Sequence, residues 1–226
     1  MTQQGQRATI NGREIDISEG ETILEAAAMV GVAVPILCHD ERVTPSATCR
    51  VCVVKVEGRR LPIAACAQKI EPGMTVVTED DDLSTWRKGI IELTLSELGG
   101  GACLSCEMHG PCDLHALAAE VGAEPGALRG ATSAGPKLDD SNPFILRDYD
   151  QCIFCYRCTR VCGEHEQAHA IGPAGRGFAS IIATSFDGGL MDSPCTFCGQ
   201  CIQTCPTGAL LDRRMIELLK DEGAIR

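Results

Sequence analysis

Aromatic residues are scarce: one Trp, two Tyr and five Phe make up 4% of 226 residues. Small domains so poor in large rings fill a core badly and often lean on metal sites for stability. Positive charge is also short. Lys and Arg number 20 against 31 Asp and Glu, a formal net charge of −11. Phosphate backbones and anionic lipid surfaces repel such a chain, so neither nucleic acid nor direct membrane contact is expected. Long hydrophobic runs are missing too. The longest nearly apolar stretch, LEAAAMVGVAVPIL (24–37), carries Pro35 inside it and falls short of the ~20 residues that cross a bilayer. The opening MTQQGQRATI has no charged-then-apolar leader pattern. A soluble, cytoplasmic protein is expected. No glycine-rich phosphate cradle follows a strand, and no Ser/His/Asp or Cys/His nucleophile set stands apart from the cysteine groups, so no catalytic site of the chain's own is expected.

Cysteine is what the chain has in excess: 15 residues. In a reducing compartment these do not form a disulfide framework. They fall into four groups along the chain, of four, three, four and four.

RATINGREIDI (7–17) reads as a hairpin around Asn11-Gly12, the pair suited to a type I′ turn. TILEAAAMVG (22–31) reads as a helix with Ile23, Ala27 and Val30 on one face and Gly31 as its stop. VCVVKVEG (51–58) and GMTVVTED (73–80) read as further strands, which together suit a β-grasp domain over 1–80. DDDLSTWRKGIIELTLSEL (80–98) is a helix with acids at its positive end, the run Glu79–Asp82 being a helix start. Its expected core face is Leu83, Trp86, Ile90 and Leu93. DLHALAAEVG (113–122) is a second helix, so that 81–121 forms a small helical three-cysteine domain. Residues 122–143, rich in Gly, Pro, Ala and Ser, read as a linker. A two-cluster domain over 144–212 follows, then a C-terminal helix over 213–226. The fold class expected is α+β.

The strongest signal is an internal repeat. CIFCYRCTRVC (152–162) and CTFCGQCIQTC (195–205) share the spacing C-x2-C-x2-C-x3-C. Three cysteines at intervals of three wrap a loop around one cubane, and in two-cluster ferredoxins the fourth ligates the other cluster. Cys152, Cys155, Cys158 and Cys205 are therefore assigned to one [4Fe–4S] cluster, and Cys195, Cys198, Cys201 and Cys162 to the other. Pro206 follows Cys205 as in ferredoxins, whereas Gly163 follows Cys162, a departure. The bland alternative, structural zinc, uses separated C-x2-C pairs. Cys38, Cys49, Cys52 and Cys66, spaced C-x10-C-x2-C-x13-C, are assigned to a [2Fe–2S] cluster, with zinc or buried free thiols as the alternatives. The central C-x2-C is shared with plant-type ferredoxins, although the first gap is ten rather than four.

The motifs TCRVC (48–52), AACAQKIEPGMTVVT (64–78), CLSCEMHGPCDL (103–114), CIFCYRC (152–158) and SPCTFCGQCIQTCPTGAL (193–210) resemble the iron–sulfur region of four groups of proteins. These are the largest peripheral-arm subunit of complex I (its N-terminal part), the small iron–sulfur subunit of NAD-reducing hydrogenases, and the N-terminal regions of NAD-linked formate dehydrogenases and iron-only hydrogenases. The resemblance covers nearly the whole chain. With both quartets complete it is nearer the last two, since the small hydrogenase subunit typically keeps one such cluster. The chain ends at Arg226 without a molybdopterin or hydrogen-activating domain, which leads one to expect a relay without a catalyst.

In that family a histidine just before the first cysteine of the three-cysteine site completes a [4Fe–4S] cluster. Here Gly99, Gly100, Gly101 and Ala102 stand there. Cys103, Cys106 and Cys112 then need another ligand. His109 is the first candidate and His115, one helical turn after Cys112, the second. Glu97, water or a [3Fe–4S] cluster are the remaining options. His165 and His169 read as solvated, His39 as structural beside Cys38, Trp86 as core, and Gly175, Gly177, Gly188 and Gly189 as turns.

The expected function is an electron-relay subunit of an NAD(P)-linked oxidoreductase complex. It carries one [2Fe–2S] and three [4Fe–4S] clusters. Its expected partners are a flavin- and NAD(P)-binding iron–sulfur subunit and a catalytic subunit of formate dehydrogenase or hydrogenase type. The rival readings are an enzyme using an open iron of the three-cysteine cluster as a Lewis acid, and a zinc-stapled interaction module.

Overall fold

Asn11 and Gly12 both take left-handed φ, 50° and 78°, as a type I′ turn requires. They join β1 (Arg7–Ile10) to β2 (Arg13–Asp16), with Ile10 opposite Arg13. The computed structural model describes residues 6–98, 112–130 and 138–221. The chain divides into two compact units: Met1–His39 with Pro45–Ile90, and Asp40–Thr44 with Ile91–Arg226.

In the first unit a capping box starts α1 (Ile23–Met29). The Thr22 hydroxyl accepts from the Glu25 N–H, and the Glu25 carboxylate accepts from the Thr22 N–H. Two otherwise unpaired helix donors are thereby satisfied at once. Strands β3 (Val53–Val56), β4 (Ile63–Ala64) and β5 (Thr75–Val77) complete a five-stranded mixed sheet in the order β2-β1-β5-β3-β4. β1 and β5 run parallel, and the other neighbours antiparallel. Ile10, Ile23, Ala27, Val54 and Val76 are fully buried, in one core with Cys52 and Cys66. Each of the Ile and Val side chains contributes roughly 2 kcal/mol on burial, and Ala27 less.

Helix α2 (Asp81–Glu97) begins where the acids predict, with the Asp80 carboxylate accepting the Leu83 N–H at 2.8 Å and Lys55 paired to both Asp80 and Asp82 at 2.6 Å. Its buried stripe differs from the expected one. Leu83, Arg87, Ile91 and Leu95 are buried, while Trp86 and Leu93 are exposed. Trp86 instead lies under the Lys55 ammonium, 5.6 Å from the ring centroid. The stripe turns because Arg87 takes an inward position, donating from Nη2 to the carbonyls of Val53 (2.8 Å) and Thr78 (2.7 Å).

In the second unit α3 (Asp113–Val121) ends at Gly122, whose φ of 65° makes the left-handed cap. Strands β6 (Leu138–Asp139) and β7 (Ile145–Asp148) follow. The short helix α4 (Arg157–Arg160) runs into a π-helical turn over Val161–His165. Next come the hairpin β8 (Ile171–Ala174) and β9 (Ile181–Thr184), then α5 (Gln200–Thr204), β10 (Leu210–Asp212) and α6 (Arg213–Asp221). β10, β7 and β6 form a three-stranded antiparallel sheet. The Gly- and Pro-rich stretch 122–143 holds β6 and the fully buried Asn142 near its end. The Asn142 Oδ1 accepts the N–H groups of Phe144 (2.8 Å) and Ile145 (2.9 Å), so a side chain performs there the work of a turn. Among the described residues no helix is long and apolar enough to cross a membrane.

Candidate metal centres

The sequence repeat is also a repeat of backbone conformation. Phe154 (φ 51°) and Tyr156 (φ 60°) flank Cys155, and Phe197 (φ 56°) and Gly199 (φ 74°) flank Cys198. Three of these four are bulky residues in the left-handed region, where a side chain is strained. The strain has a use. Alternating hands turns successive backbone N–H groups inward, and such concavities hold anions, including iron–sulfur centres. The N–H of Phe154 reaches the sulfur of Cys152, and the N–H of Phe197 reaches that of Cys195 at 3.4 Å.

Each loop ends in a short helix, α4 or α5, and the two helices cross the cysteines over. Cys152, Cys155, Cys158 and Cys205 line one cavity of about 620 Å³, partly open to solvent. Cys162, Cys195, Cys198 and Cys201 line a second, of about 380 Å³. Cys201 borders both. Each cavity thus gathers three thiols from one loop and a fourth from the other. Ile145, Ile171, Ile182, Leu190 and Leu210 wall them in.

Burial pushes the Cys152 thiol up to about 11 and those of Cys155 and Cys201 up to about 12, with neighbouring cysteines adding to the effect. Cys158 is raised well above its ordinary value by the same causes, and Cys195 is raised by burial. Thiols so placed do not ionise on their own. They need a cationic metal centre to hold them as thiolates, which are the ligating form.

The first unit brings Cys38, Cys49, Cys52 and Cys66 together in the loop after α1 and beside β3 and β4. Cys38, Cys52 and Cys66 are buried. The Cys49 N–H lies 3.5 Å from the Cys38 sulfur, and Ala47 (φ 52°) and Arg50 (φ 60°) turn the loop. The thiols share protons. Hydrogen bonds from Cys49 and then Cys66 hold Cys38 far below the ordinary thiol range, while the hydrogen bond to Cys38 raises Cys49 and Cys66. Cys52 falls to about 7 through its hydrogen bond with Cys66. Beside Cys38, His39 Nδ1 and Ser46 Oγ are buried without complete hydrogen bonds among the described residues. Ser46 nevertheless favours the Cys38 thiolate.

Of the three-cysteine site, Cys103, Cys106 and His109 lie outside the described residues, as do Gly99 to Ala102. Cys112 precedes α3 and its sulfur lies 3.6 Å from the Pro206 carbonyl, next to Cys205. Asp113, the next residue, accepts from Arg157 Nη1 at 3.1 Å. His115 is exposed.

The departure at Gly163 has a local reason. A Cβ there would meet the His169 ring at 2.9 Å. The segment after Cys162 folds back so that the N–H of Ala170 reaches the Cys162 sulfur at 3.3 Å. Gly163→Ala is expected to weaken cluster retention at this loop and to cost about 1–2 kcal/mol in stability. The double variant with His169→Ala should recover most of both, measured by thermal melts and iron content. His165 and His169 are otherwise exposed.

Residues 40–44 belong to the second unit. Thr204 Oγ1 donates to the buried Asp40 carboxylate (2.5 Å), and Arg42 bridges Asp40 and Gln200 (2.8 and 2.7 Å). The Thr44 N–H and hydroxyl both donate to Glu164 (2.7 and 2.8 Å). The Arg42 guanidinium holds the Asp40 carboxyl well below the usual carboxylate range. Nothing in the sequence marked these residues, because their partners are distant in the chain.

Comparison with known proteins agrees with this arrangement. Residues 7–81 match a 2Fe-2S iron-sulfur cluster binding domain, and residues 142–211 match the ferredoxin-like domain of NADH-quinone oxidoreductase subunit 3. In the crystal structure of an NAD+-reducing [NiFe]-hydrogenase in its H2-reduced state, one chain superposes with a TM-score of 0.81. It is 32% identical, over 92% of this chain and 87% of that one. NADP-reducing hydrogenase subunit HndD of Solidesulfovibrio fructosivorans is 37% identical over 92% of this chain and 36% of its own length. NADPH-Fe(3+) oxidoreductase subunit alpha of Geobacter sulfurreducens is 37% identical over 91% of this chain and 24% of its own. The chain belongs to the iron–sulfur electron-transfer family that these hydrogenase and NADH-quinone oxidoreductase proteins share. It spans about a third or less of the length of these curated relatives.

Proposed function

We propose that the chain is an electron relay with four iron–sulfur clusters. Cys38, Cys49, Cys52 and Cys66 hold a [2Fe–2S] cluster. Cys152, Cys155, Cys158 and Cys205 hold one [4Fe–4S] cluster, and Cys195, Cys198, Cys201 and Cys162 hold a second. Cys103, Cys106 and Cys112 hold a third, with His109 or else His115 as fourth ligand. Bound there, the clusters supply one-electron carriers. The chain supplies the buried thiols, the inward N–H groups that favour thiolate, and apolar walls that limit water.

The observation that carries this reading is the pair of adjoining cavities, each lined by one crossed quartet and sharing Cys201. Adjacent sites in one small unit suit transfer over short distances. Family membership supports a place between a flavin- and NAD(P)-binding subunit and a catalytic subunit of hydrogenase or formate dehydrogenase type. Reconstitution tests it. Adding the loaded chain to its flavin partner and NAD(P)H should accelerate reduction of the catalytic partner, read as the rate of cofactor oxidation. An unchanged rate with fully loaded clusters would overturn the relay role.

A further inference from the structure

Arg147, on β7, has one guanidinium nitrogen that its visible partners do not use. Its side chain is only 8% exposed, and its Nε and Nη2 both reach Oδ2 of Asp139 on β6, Nε at 2.9 Å. Its guanidinium carbon lies 5.4 Å over the Tyr149 ring. The remaining nitrogen, Nη1, is buried and has no hydrogen-bond partner among the described residues. A buried, unpaired N–H on a charged group costs more than one on a neutral group. A pin between β6 and β7 would need only Nε and Nη2.

Arg147 lines the cavity of Cys152, Cys155, Cys158 and Cys205, so a cation with an unused nitrogen stands in the wall of that site. Asp139 offsets that charge only in part, since its Oδ1 also accepts from the Ser141 N–H (3.0 Å) and hydroxyl (2.6 Å).

We propose that Arg147 is a positioning residue that sets the reduction potential of the cubane held by Cys152, Cys155, Cys158 and Cys205, with Asp139 as the counter-ion that moderates it. The inference rests on the cluster assignment above. Reduction adds one negative charge to a site, and a fixed cation in a low-dielectric wall stabilises the reduced form. Removing the cation makes the site harder to reduce. Removing the counter-ion makes it easier.

The test is an EPR-monitored titration with dithionite of the intact, cluster-loaded chain, with far-UV circular dichroism to confirm folding. In Arg147→Gln the reduced-to-oxidised ratio of that cubane at a given ambient potential should fall about tenfold, equivalent to about 59 mV for one electron. Arg147→Lys should lie between wild type and Arg147→Gln. Asp139→Asn should shift the same cubane the opposite way. An unchanged potential of that cubane in folded Arg147→Gln would overturn the proposal. So would shifts of the same sign in Arg147→Gln and Asp139→Asn, the result expected from loss of a structural pin. If Arg147→Gln loses its clusters, the opposing shifts of Arg147→Lys and Asp139→Asn decide. If the wild-type chain shows no cubane signal, the cluster assignment fails instead.

Discussion

Cys162→Ser combined with Cys198→Ser is expected to cost the protein a single cubane, about four irons per chain, whereas Cys162→Ser combined with Cys155→Ser costs two, about eight. The first pair removes two ligands from one crossed quartet, although Cys162 and Cys198 come from different motifs. The second pair removes one ligand from each quartet, although both cysteines stand in the same motif. The cavities dictate this result. Cys162 lines the space of Cys195, Cys198 and Cys201, and Cys155 lines the other. Iron analysis and EPR of reduced samples measure it. The reverse pattern, eight irons lost in the first double variant and four in the second, would mean that each loop holds its own cluster.

Removing iron is expected to affect the two units unequally. The first unit has a fifteen-residue buried cluster around a five-stranded sheet, of which only Cys52 and Cys66 are proposed ligands. In the ferredoxin part of the second, the core cluster around the cysteines has five buried aliphatic residues, and the rest of what packs on them is largely the cysteines and the aromatic residues of their loops. Those loops hold strained residues at Phe154, Tyr156 and Phe197. Where ligands supply the centre of a core, metal binding free energy is folding free energy. Stripping iron with a chelator and reductant should lower amide exchange protection of β7, β8 and β9 by at least tenfold more than that of β1, β3 and β5. Hydrogen-exchange mass spectrometry reads this directly. Equal retention in both units would show that the second is stable without its clusters.

Legibility varied along the chain for physical reasons. The Asn11-Gly12 turn, the α1 stop at Gly31 and the acidic start of α2 follow local rules, and local rules are visible in sequence. The doubled cysteine motif was legible because ligand spacing is set by the cluster rather than by the fold. The inward face of α2 was not. Pattern reading puts Trp86 inside and Arg87 outside, but Arg87 is buried because two distant carbonyls need donors. Arg147, Asn142 and Asp40 were missed for the same reason. Each is a polar side chain whose burial depends on partners that only the folded chain brings near.

The central claim is that these cysteines grip inorganic iron and sulfide. Iron, zinc and acid-labile sulfide determined together on anaerobically purified protein test it most directly. The account predicts brown protein with about fourteen irons and about fourteen sulfides per chain. Colourless protein carrying zinc and no labile sulfide would contradict it.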